Sequence, residues 1–171
     1  MSCRAHRLPE PSPLRVPKRA VPVEVATGGS TVRHVEVFLA PPAHPGGAGE
    51  RLSDLLARPR FLPVQEAGVV TFLNCQLPAW FRLPLLDGLE ELAPETEASA
   101  DAVSWEVRVE LAPSGFLEGT LRYLLPAHAC RLGDYLRHAP TFFPLRTPDW
   151  LYLVNRACVV QVIPNGEVHD G

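Results

Sequence analysis

Four side chains sit where metal or thiol chemistry could be assembled: His44, His128, Cys130 and Cys158. His44 and His128 each follow a Pro-Ala pair, so they occupy matching places in the chain. A repeated histidine can serve as a ligand pair or a titrating contact, and a loop residue left from an ancestral turn accounts for it as well. His128 and Cys130 are two residues apart, and Cys158 is in a neighbouring predicted strand. A tetrahedral zinc site needs four ligands, and the sequence places no fourth. The cysteines, Cys3, Cys75, Cys130 and Cys158, form no CxxC pair.

Carboxylates give a second candidate. Asp54 and Asp134 match in position and could be read as an acid–base pair. Each follows an arginine by three residues on a helical pattern, so a solvated salt bridge explains them more simply. Cys75 has no neighbouring histidine to activate it. The chain has no GxSxG, no HExxH and no phosphate-cradling glycine loop. The expectation is no catalytic residue and no cofactor, with His128 and Cys130 as the metal candidates. Trp80, Phe81 and Trp105 flank an acidic joint, where they either form an inter-unit core or present a patch to a partner.

The elements that must position these groups come from a stretch that occurs twice. Residues 51–74, RLSDLLARPRFLPVQEAGVVTFLN, align with residues 131–155, RLGDYLRHAPTFFPLRTPDWLYLVN, with one extra residue in the second. Arg51 and Arg131, Leu52 and Leu132, Asp54 and Asp134, Leu56 and Leu136, Phe61 and Phe142, Pro63 and Pro144, and Asn74 and Asn155 are identical pairs. Upstream, each stretch is preceded by a strand, a glycine-containing turn and another strand. So many identities in one order point to a gene-internal duplication. The period exceeds that of a solenoid unit, so two small domains are expected rather than a stacked array.

Within each copy the patterns are short. Val21, Val23 and Val25 alternate, as do Val35, Val37 and Leu39, which predicts a hairpin with one wet face. Leu52, Leu55 and Leu56 share one side of a short helix, stopped by Pro59. A helix of two turns is not stable alone, so its leucines must cover the open side of a curled sheet. Val69 to Leu73 is apolar on consecutive positions, the mark of a strand buried on both faces. Asn74 and Asn155 suit turns with a left-handed residue. Pro78 is expected to make the last strand of the first copy weak or an edge. In the second copy Leu132, Tyr135 and Leu136 line the short helix.

The remaining segments are polar. Residues 1–20 carry Arg4, Arg7, Arg15, Lys18 and Arg19 against Glu10, interrupted by four prolines, and read as a basic disordered tail. Residues 84–102 carry six acids and no base and read as a linker, with a docking peptide as the alternative. The organisation is therefore 1–20 tail, 21–83 first copy, 84–102 acidic linker, 103–163 second copy and 164–171 polar tail. The fold class is mainly β with short helices: two tandem similar small β-domains, sharing one sheet or barrel-like.

Bulk properties narrow the function. The net charge is −3; the tail is +4, so the rest is −7, which disfavours nucleic acid and an anionic membrane. No apolar run is long enough to cross a bilayer, and no signal peptide is evident. A cytoplasmic location with reduced thiols is the default.

Each copy, with its RLxDxL, F-hydrophobic-P and hydrophobic-V-N elements, resembles a small bacterial family of unknown function. The resemblance implies a compact β-rich domain with a regulatory or scaffolding role and supplies no catalytic residues. The hairpin-rich unit is also similar to bacterial second-messenger-binding barrels, but their arginine-rich and D/N-x-S-x-x-G signatures are missing here. The reading is a non-catalytic binding, regulatory or scaffolding module with an unidentified protein partner, a homo-oligomer remaining open. The alternatives are a nucleic-acid-binding small barrel and a metal protein or enzyme using His44, His128 and Cys130.

Overall fold

Alternating valines build the first hairpin as expected. In the computed structural model β1 (Arg19–Thr27) and β2 (Val32–Leu39) pair antiparallel, with Val21 opposite Val37 and Val23 opposite Val35 on the buried face. The structure describes residues 18–27, 31–42, 44, 49–57, 61–113, 115–126 and 131–168. The basic tail up to residue 17, the turn at 28–30, Pro59, and the candidates His128 and Cys130 lie outside the described residues.

The chain continues through α1 (Leu52–Leu56), β3 (Phe61–Glu66), β4 (Val69–Asn74) and β5 (Pro78–Pro84). Leu52, Leu55 and Leu56 are buried, as their spacing requires. β3 turns into β4 through Ala67 and Gly68, both at positive φ (48° and 81°), which a two-residue hairpin turn demands. The second half repeats the order: β6 (Val103–Leu111), β7 (Phe116–Tyr123), α4 (Leu132–His138), β8 (Phe142–Arg146), β9 (Trp150–Asn155) and β10 (Val159–Val168). Between the halves lie α2 (Leu85–Gly88) and α3 (Pro94–Ala98).

Among the described residues ten strands form one antiparallel sheet in the order β10-β6-β7-β8-β9-β5-β1-β2-β3-β4. The order within each half is the same, β5-β1-β2-β3-β4 and β10-β6-β7-β8-β9. The registers coincide as well. Val21 faces Val37 where Trp105 faces Leu121, and Phe61 faces Asn74 where Phe142 faces Asn155. Both last strands carry an irregularity at the same place, skipping Ala79 in β5 and Val160 in β10.

The halves meet where β9 pairs with β5, Phe81 opposite Leu153 and Leu83 opposite Leu151. Two buried clusters flank this joint. The first holds the inward valines of β1 and β2, the α1 leucines and Phe81, but also Phe142 and Leu153 from the second half. The second holds Val107, Val109, Leu121, Phe143, Leu145, Tyr152 and Val154, with Ala26 and Ala79 from the first half. β9 therefore feeds one cluster from each face.

Four expectations need correction. β5 is no edge: it lies mid-sheet, because Pro78 sits at its first residue beside the bulge, where a missing N–H is tolerated. β4 is not buried on both faces: it is an outer strand, with Val69, Val70 and Phe72 exposed. Residues 84–102 are not loose. Glu91 is buried and its carboxylate accepts from the Leu52 and Ser53 amides at 2.6 and 2.8 Å, satisfying two of the orphan donors that open α1. Gly88 rests on Leu151 so closely that a Cβ would meet that side chain at 2.8 Å. Finally, β10 runs on to Val168, through part of the expected polar tail. No helix of the described residues is long and apolar enough to cross a membrane.

Candidate functional site

The face of β1, β2 and β5 turned away from the first cluster carries polar residues by alternation: Glu24, His34, Glu36 and Arg82. With Pro22, Gln65, Pro84 and Trp150 they line a cleft of about 430 Å³. Arg82 is its centre. Its Nε donates to Glu24 Oε2 at 2.8 Å and its Nη1 to the Tyr152 hydroxyl at 3.0 Å. Its guanidinium lies 4.3 Å from the centre of the Trp150 ring, a cation–π distance. Trp80 meets Tyr152 edge-on at 5.3 Å. Burial works against the Arg82 charge, but the hydrogen bonds to Tyr152 and Glu24 outweigh it and raise its pKa. Arg82 thus ties β5 to β1 and β9, and its donors are engaged inside the protein. A second cleft, lined by Glu106, Glu118, Thr120 and Arg146, occupies the matching place in the second half.

The sequence candidates fall as follows. Phe81 has no exposed surface; it packs edge-on against Phe142 at 5.5 Å, so it is joint core and cannot meet a partner from solvent. Trp80 and Trp105 are half-buried against the second cluster. His44 is exposed. Among the described residues no group of three or more His, Cys, Asp and Glu is arranged to hold a metal. Cys75 is buried, and burial pushes the Cys158 thiol up, away from the thiolate. Asp54 pairs with Arg51 at 3.3 Å as expected, whereas Asp134 pairs with Arg137 at 3.0 Å rather than with Arg131.

Asn155 departs furthest from its expectation. It is buried and not left-handed, with φ −71°. Its Oδ1 accepts from the Ala157 amide, and its Nδ2 crosses the joint to the carbonyls of Gln76 and Pro78 at 3.2 and 2.9 Å. Asn74 makes the matching local bond, its Oδ1 accepting from the Gln76 amide at 3.0 Å.

The second candidate surface was missed from sequence. Phe61, Val69, Val70 and Phe72 are all exposed on β3 and the outer strand β4. β4 carries no charge, proline or lysine, the usual devices that blunt a sheet edge. The signal was present as a run of apolar residues, which fits a strand with both faces covered. Comparison with family models, with curated proteins and with solved structures gives no match, so the function is argued from these residues alone.

Proposed function

We propose that this chain is a non-catalytic binding or scaffolding module that docks a polypeptide on the open β3–β4 edge, its two halves descending from one duplicated unit. The observation that carries it is the exposed apolar surface of Phe61, Val70 and Phe72 on one face of β3 and the outer strand β4, with Val69 exposed on the other face of β4. A strand edge offers unpaired N–H and C=O groups, which give affinity to an added strand, while the side chains beside it give specificity. The Arg82 cleft supports a structural role, since its cation is held by Glu24 and Tyr152 across three strands. A benzophenone side chain placed at Phe72 in the producing cell should form polypeptide adducts on irradiation. The same group at the exposed Asp54 should not. Equal yields at both positions, or none at Phe72, remove this reading.

A further inference from the structure

We propose that the polypeptide docked on this edge is a second copy of the chain, β4 of one copy adding to β10 of the next, head to tail. The inference rests on the protein-binding reading above and names its partner. The template for the contact lies within the molecule. β9 pairs with β5 at the joint between the halves. β4 holds the place of β9 in the first half, and β10 holds the place of β5 in the second. The two outer edges of the sheet are thus the same two kinds of edge that meet at its centre.

The apolar residues that cross the joint have counterparts at the outer edges. Phe142 and Leu153 cross the joint into the first cluster and are 4% and 1% exposed. Their counterparts Phe61 and Phe72 are 65% and 70% exposed. On the other side, Ala79 crosses into the second cluster at 9% exposed, and its counterpart Val160 is 66% exposed. Three of the four side chains that cross into the other half's cluster thus have an apolar counterpart left in water; the fourth, Ala26, has Glu110 at its place in β6. Asn155 Nδ2 spans the joint to the carbonyls of Gln76 and Pro78. Asn74 is held by the same local bond as Asn155, so its Nδ2 would reach the Ala157 and Val159 carbonyls of a second copy.

Carrying the register of the joint outward sets Leu73 opposite Gln161, Phe72 opposite Val162 and Thr71 opposite Ile163 of the second copy. Pro164 stands where Leu83 stands in β5 and brings no N–H, so the ladder between copies is shorter than the internal one. Trp80 and Arg82 are replaced by Gln161 and Ile163, so the cation–aromatic clamp of the joint is not repeated. The contact between copies is accordingly weaker than the joint, and assembly depends on concentration. A head-to-tail contact closes into a ring if its rotation permits and otherwise grows as a filament.

Sedimentation of the full chain over a wide concentration range tests this with Phe72→Lys on β4 and Val160→Lys on β10. Both side chains are exposed, so each variant should fold, as judged by its circular dichroism and melting. The wild type should exceed the 18.8 kDa monomer as concentration rises, whereas each variant alone should stay monomeric. An equimolar mixture should recover one productive contact and sediment at twice the monomer mass, because each variant keeps the edge the other has lost. Phe61→Lys and Ile163→Lys repeat the two arms should either first variant misfold. A wild type that is monomeric throughout overturns the inference. So does assembly blocked by only one of the two variants, which would mean a symmetric edge-to-edge dimer. Adducts at Phe72 to a different polypeptide, with a monomeric wild type, overturn the second copy as partner and leave the protein-binding reading standing.

Discussion

Two polar side chains, Glu91 and Asn155, hold segments distant in sequence. Glu91 lies in the stretch between the halves yet accepts from the first two amides of α1. A helix of five residues has no stability of its own, so these charge-assisted bonds and the three buried leucines fix it. Glu91→Ala removes both acceptors and should lower stability by about 1.5–3 kcal/mol in urea unfolding. Glu91→Gln, which keeps one good acceptor, should lose less. Asn155→Ala removes the amide donor that reaches the buried Pro78 carbonyl and should cost about 1–3 kcal/mol. Asn74→Ala, at the matching place on the outer edge, should cost clearly less in dilute solution. Equal losses at the two asparagines would show that Asn155 acts only through its local turn.

Short helices close the two clusters from different starting points. α1 buries Leu52, Leu55 and Leu56, whereas α4 places Leu132, Tyr135 and Leu136 half-buried against the second cluster. Tyr135 stacks on Tyr123, ring centres 4.4 Å apart and nearly parallel. Burial, and secondarily the neighbouring Tyr123, push its phenol well above its ordinary value of 10.0. The folded state therefore holds this proton more tightly than the unfolded chain does. Its contribution is complete below pH 10.0 and is lost as pH rises beyond it. Tyr135→Phe should flatten the alkaline fall in stability relative to the wild type; parallel falls on either side of pH 10.0 would contradict this. The leucines of α1 and the alternating valines of β1 and β2 were legible in the sequence, because helix and strand periods are local. The exchange of roles between β4 and β5 was not. Which strand lies at an edge depends on partners far along the chain, and strand patterns report burial rather than neighbours. The Glu91 contacts were hidden for the same reason, since they join residues 39 and 38 positions apart.

Across the whole molecule, the same strand edge is used once inside the chain and offered once outside it. Leu153 on β9 and Phe72 on β4 hold matching places, one buried at the joint and one exposed. Leu153→Ala opens a cavity beneath Phe81 and should cost about 2–5 kcal/mol at any protein concentration, because both sides of the joint belong to one chain. Phe72→Ala should change stability by no more than about 0.5 kcal/mol in dilute protein, as an exposed substitution does. At high concentration assembly stabilises the folded state by mass action. The wild-type midpoint should then rise, and Phe72→Ala should lose that rise while Leu153→Ala stays shifted by a constant amount. Denaturant titrations at low and high protein concentration read both effects. A large, concentration-independent loss for Phe72→Ala would mean that β4 is already covered within the monomer. A wild-type midpoint that ignores concentration would leave the outer edges without the contact their counterparts make at the centre of the sheet.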